Sequence, residues 1–186
     1  GKDFVTPFQM MVIDNVAAND GKLMRPAIIQ KIVNPQDGTL LRAFSPQLLR
    51  QVISAASAQA TRDAMYGVNA CGSGSLKIVQ LSYPYTNWEV IGKTGTAQVP
   101  PGPNNQVIPA DSWFMTAAPY IYQSNQIPAI TITAMKENGG EGAYANGPML
   151  RDIYDQIFTK VLTGVHTNPV PPGGSSFCTN TKLLPD

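Results

Sequence analysis

The chain has 186 residues, enough for one domain with a real hydrophobic core. Thirteen basic and twelve acidic residues leave a formal charge of +1, so no global field points to nucleic acid or an acidic membrane surface. Only 13% of residues are charged, against roughly 25% in an average globular protein; polar uncharged residues, Gly and Pro take their place, as is common in secreted and cell-surface proteins.

Two cysteines, Cys71 and Cys178, are too few for a disulfide framework and wrongly spaced for metal. They either pair across the fold in an oxidising compartment or stay free. The lone His166 lies in a polar tail, which leaves no imidazole cluster for zinc and no Ser-His-Asp triad. No metal or other cofactor is expected. No apolar run approaches the ~18 residues of a membrane span, and no signal peptide opens the chain. Any secretion signal or anchor is expected on sequence outside it.

In chain order, Thr6-Pro7-Phe8-Gln9 reads as a helix start. Thr6 caps, Pro7 suits the first helical position and Gln9 completes a capping box. The helix should run to about Asn19 and stop at Gly21, burying Met11, Val12 and Val16. Residues 27–33 and 39–44 look like short strands joined by the turn Asn34-Pro35-Gln36-Asp37-Gly38. Ser45-Pro46 then reads as the opening of a second helix. Leu49, Val52, Ile53, Ala56 and Ala60 follow helical spacing, and Gly67 is its expected stop. Residues 71–75 are rich in Gly and Ser and read as a loop.

Three strand candidates follow, at 89–99, 112–118 and 128–135, with short connections that favour antiparallel neighbours. The loop 100–110 is long enough to rim a site. A last helix is expected from near Pro148 to Val161, with Leu150, Ile153, Tyr154, Ile157, Phe158 and Val161 on its apolar face. From Thr163 onward the composition turns to Pro, Gly, Ser, Asn and Thr, a tail rather than a second domain. The expected fold is α+β, an antiparallel sheet flanked by helices.

Lys93-Thr94-Gly95-Thr96, on the first of the three strands, carries the chemistry. A cation, two hydroxyls and a bare glycine on extended backbone suit an anionic, peptide-like ligand. Gly92-Lys93-Thr94 is not a phosphate loop. Asn87 stands where the first glycine is needed, and Gly95 and Pro100-Pro101 replace the helix that must follow. Taken alone, four such letters fit a solvated strand lysine beside ordinary threonines. Trp113 and Phe114 read as sheet packing rather than ligand contacts.

The wider context resembles the C-terminal half of the transpeptidase domain of penicillin-binding proteins, spread over residues 4–162. The resemblance rests on the order and spacing of Thr6-Pro7-Phe8-Gln9-Met10, Ala18-Asn19-Asp20-Gly21, Arg25-Pro26, the 34–38 turn, Gly92 to Gln98, Ser112-Trp113-Phe114 and Ala118-Pro119. It implies a partial β-lactamase/transpeptidase-like fold at an extracytoplasmic site in a bacterial cell envelope. By this analogy Lys93 helps organise proton transfer. The Thr94 and Thr96 hydroxyls bind the carboxylate of a D-Ala-D-Ala stem peptide or a β-lactam, and the Thr96 amide forms half of an oxyanion hole. Gly95 stays small beside the acyl group, and Gln98 is a further candidate contact.

The family's Ser-x-x-Lys nucleophile and Ser-x-Asn relay are missing: no serine here has lysine three positions on or asparagine two positions on. The chain is therefore expected to be part of a longer polypeptide and silent alone. Its expected partner is the N-terminal half of the same domain, and uncovered apolar surface there favours homodimers. A D,D-carboxypeptidase, a serine β-lactamase or β-lactam sensor, and a non-catalytic binding module are the rival readings.

Overall fold

The computed structural model describes residues 4–75 and 89–164. Helix α1 (Pro7–Ala18) opens on the expected capping box: the Gln9 amide donates to Thr6 Oγ1 at 3.2 Å and the Thr6 amide to Gln9 Oε1 at 2.8 Å. Val16 is buried, whereas Met11 and Val12 are only half-buried. The chain then enters two small antiparallel pairs, β1 (Lys22–Met24) with β4 (Leu48–Gln51) and β2 (Lys31–Val33) with β3 (Leu40–Ala43).

Residues 48–51 thus correct the sequence reading, which placed a helix there. Leu49, Val52 and Ile53 have helical spacing, but strand pairing to β1 and a bond from the Val52 amide to the Gly21 carbonyl (2.8 Å) take this backbone instead. Helix α2 (Ala55–Ala70) starts from Ser54, whose hydroxyl accepts from the Ser57 amide at 3.0 Å. It does not stop at Gly67, whose carbonyl accepts from the Cys71 and Gly72 amides beyond the last turn. A 3-10 turn, Ser73–Ser75, follows.

The central sheet has three antiparallel strands in the order β5 (Ile91–Ala97), β6 (Asp111–Ala118), β7 (Ile130–Lys136). Helix α3 runs Gly142–Lys160, six residues earlier than the expected start. Glu141 caps it through both carboxylate oxygens, so Pro148 lies inside the helix and not at its first turn. Leu150, Tyr154 and Phe158 form its buried stripe. The antiparallel sheet flanked by helices is the α+β architecture expected.

Strand alternation sends Val90 and Phe114 toward α3, where they pack with Leu150 and Tyr154. It sends Ile91 and Ala117 to the opposite face, against Ala18, Met65 and Tyr66 of α1 and α2. The molecule is thus three-layered, with the sheet between helices. Buried Arg62 joins the two helices of one layer. It pairs with Asp20 at 3.0 Å and donates to the Ala17 carbonyl at 2.8 Å, near the α1 C-terminus.

Candidate active-site wall

Strand β5 pairs with β6 along one edge, and no strand among the described residues covers the other. Lys93 to Thr96 therefore lie extended at a sheet margin. Alternation places Thr94 and Thr96 on one face and Lys93 and Gly95 on the other. Lys93 is exposed, makes no ion pair among the described residues, and donates from Nζ to the Thr94 carbonyl at 2.8 Å. Thr96 is exposed and Thr94 half-buried.

Gly95 lies opposite Trp113 in the register, and a Cβ built on it would stand 3.2 Å from the Trp113 Cβ. Trp113 thus lies beside Gly95 while Phe114 is fully buried in the core. Gln98 is exposed one residue past the strand, outside the Lys93–Thr96 group. In the loop 100–110, residues Pro103–Asn105 form a short 3-10 turn.

Three features that fix this strand were not singled out from the sequence. Asn69, buried at the end of α2, donates from Nδ2 to the Val90 carbonyl at 2.5 Å, just before β5. Ser73 Oγ lies 2.8 Å from Thr94 Oγ1. Gly142, the first residue of α3, rests on the strand backbone, where an added Cβ would come within 2.7 Å of the Gly95 carbonyl oxygen. Each is a contact between distant segments, and a Gly/Ser-rich stretch after a helix was the only local sign of the first two.

Behind the sheet, Asp14 is 3% exposed, and neither carboxylate oxygen makes a hydrogen bond among the described residues. Burial raises its pKa from 3.8 to about 8, against a smaller opposing pull from the Thr116 main chain. Burial likewise pushes up the pKa of Tyr154, whose hydroxyl lies 2.9 Å from Thr116 Oγ1. Cys71, at the α2 C-cap, is disulfide-bonded. Cys178 and His166 lie outside the described residues, as does nearly all of the 163–186 tail. Among the described residues no cluster of His, Cys, Asp or Glu could hold a metal, and no helix is long and apolar enough to cross a membrane. A cavity lined by Arg25, Arg42, Phe44 and Gln47 lies among the small strand pairs, and β5 takes no part in it.

The family model described as penicillin binding protein transpeptidase domain matches residues 1–155. The chain belongs to that family. Among its curated relatives, this transpeptidase-domain chain is similar to peptidoglycan D,D-transpeptidase MrdA of Haemophilus influenzae, with 26% identity over 178 residues, covering 89% of this chain and 26% of the relative. It is also similar to peptidoglycan D,D-transpeptidase PbpA of Mycolicibacterium smegmatis, with 26% identity over 78% of this chain and 27% of the relative. Among solved structures, the D,D-transpeptidase domain of a peptidoglycan glycosyltransferase from Eggerthella lenta is 28% identical with a TM-score of 0.64, over 85% of this chain and 33% of that one. The chain spans about a quarter of the length of these curated relatives.

Proposed function

We propose that this chain supplies the substrate-recognition wall of a serine D,D-transpeptidase that cross-links peptidoglycan stem peptides. The observation that carries this reading is the placement of Lys93 to Thr96, with Lys93 and Thr96 exposed, on a sheet edge that no strand among the described residues covers, in a chain of this family. In the proposed reaction, a serine hydroxyl from another segment attacks the penultimate D-Ala carbonyl of a stem peptide. The resulting oxyanion takes a hydrogen bond from the Thr96 amide; one such donor contributes roughly 3–4 kcal/mol. The C–N bond breaks, the terminal D-Ala amine leaves with a proton, and the acyl group remains on the serine until an acceptor amine displaces it. Lys93 supplies positive potential and orients the proton transfer. Thr94 and Thr96 donate to the terminal carboxylate, Gly95 keeps the strand flat for the acyl group, and Gln98 is an outlying contact.

Residues 1–162 form the contributed piece of the domain and 163–186 a tail. The partner is the nucleophile-bearing N-terminal half of the same domain. Phe4 (98% exposed), Phe8 (55%) and Ile13 (56%) leave apolar surface on and beside α1 for it to cover, which two copies of this chain would otherwise share. An extracytoplasmic location, with any anchor on other sequence, agrees with the disulfide at Cys71.

The test is labelling with a fluorescent penicillin. The chain alone should take no covalent label, because it has no serine in either motif. The full-length protein should take a stable one and form cross-linked peptide from a D-Ala-D-Ala donor and an amine acceptor. Release of free D-Ala without cross-linking would make it a carboxypeptidase, rapid turnover of the penicillin a β-lactamase, and no acylation at all a non-catalytic module.

A further inference from the structure

We infer that Ser73 is a positioning residue for ligand carboxylate recognition, acting through the Thr94 hydroxyl; this rests on the transpeptidase reading above. The two oxygens are 2.8 Å apart. A carboxylate only accepts hydrogen bonds, so Thr94 is useful to it only when a proton points outward. A lone threonine hydroxyl rotates among several partners. Paired with Ser73, it has one internal bond, and of the two hydroxyl protons one is always left over for an external acceptor. When Ser73 donates, the Thr94 proton is left for the ligand, and a carboxylate over Thr94, which can only accept, selects that sense. The internal bond also polarises the outgoing one.

The surroundings hold Ser73 in place. Four residues earlier, Asn69 is 1% exposed and anchored to the Val90 carbonyl. Gly74 is buried, and a Cβ there would come within 3.1 Å of the Asn69 Cα, so the turn after Ser73 closes directly on the end of α2. The turn touches β5 and α3 as well. Ser73 itself is exposed, at the surface where Thr94 would meet a ligand.

The experiment compares acylation rate constants of the full-length protein for benzylpenicillin and for its methyl ester, which lacks the carboxylate. Ser73→Ala should slow acylation by benzylpenicillin about tenfold, equivalent to ~1.4 kcal/mol, and the ester less than about twofold. Ser73→Thr, which keeps a hydroxyl, should recover to within about threefold of wild type. Equal slowing on both substrates would reduce Ser73 to a structural role, and an unchanged rate on benzylpenicillin would remove any role. If the wild-type protein takes no acyl group, the transpeptidase reading fails. The positioning claim is then read separately, from the Thr94 side-chain couplings in NMR spectra of wild type and Ser73→Ala. One fixed rotamer that becomes averaged in the variant supports it, and an identical rotamer distribution in both overturns it.

Discussion

Asp14 is a carboxylic acid on the buried side of α1, facing the Thr116 main chain with Tyr154 nearby and no hydrogen bond to either oxygen among the described residues. Its native pKa of about 8 lies above the unfolded value of 3.8. The folded state therefore holds the extra proton between those values, and the stabilisation it brings is complete below about pH 4 and lost as pH rises through 8. Urea unfolding should show stability falling by up to about 1.4 kcal/mol per pH unit across that window from this group alone. Asp14→Asn should abolish that component, and a slope unchanged in the variant would show the group to be hydrated and ionised instead. At the site, Lys93→Ala in the full-length protein should slow penicillin acylation by about 10²-fold while leaving the unfolding midpoint nearly unchanged, since the side chain is exposed. Loss of both together would mark Lys93 as structural. Lys93 to Thr96 stood out as candidates because their chemistry is crowded into consecutive positions. Asp14 was not, because a single polar residue in an apolar helix does not announce which way it faces. Ser73 was hidden for another reason: its partner is twenty-one residues away.

Element boundaries follow the same division between local and distant causes. The start of α1 was readable because all of its capping bonds lie within three residues. Thr6→Ala should lower stability by about 1 kcal/mol, seen as a shifted unfolding midpoint, and no shift would mean the cap adds nothing beyond hydration. The order and antiparallel sense of β5, β6 and β7 were also readable, from their apolar content and short connections. The region 45–54 was misjudged because helical spacing of apolar residues is no protection when β1 supplies ladder partners and Ser54 offers a better cap. Proline misled at the other end: Pro148 suggested a first turn, whereas Glu141 closes the amides of Ala143 and Tyr144 well before it. Starting at Gly142 brings α3 onto β5. Gly142→Ala would drive a methyl into the Gly95 and Trp113 carbonyls, costing ~1–3 kcal/mol in denaturant unfolding and shifting the Gly95 amide resonance. A fully tolerated alanine would mean that helix and strand separate easily.

At the scale of the molecule, the sheet has a helical layer on each face and, among the described residues, no strand beyond β5 at its edge. On and beside α1, Phe4, Phe8 and Ile13 keep large apolar side chains in solvent, so sedimentation should show the isolated chain self-associating at micromolar concentration. Adding the nucleophile-bearing half should dissolve those assemblies into a mixed complex. A monomer indifferent to that half would count against a shared interface. The grip on β5 from both sides has a consequence for ligand choice. With Asn69 holding its approach and Gly142 seated on its middle, the strand has little freedom left to surrender when something docks. Adaptation then falls to the incoming molecule: a stiff, already extended guest should bind tightly for its size, while a floppy one of equal contact area should lag because it alone must become ordered.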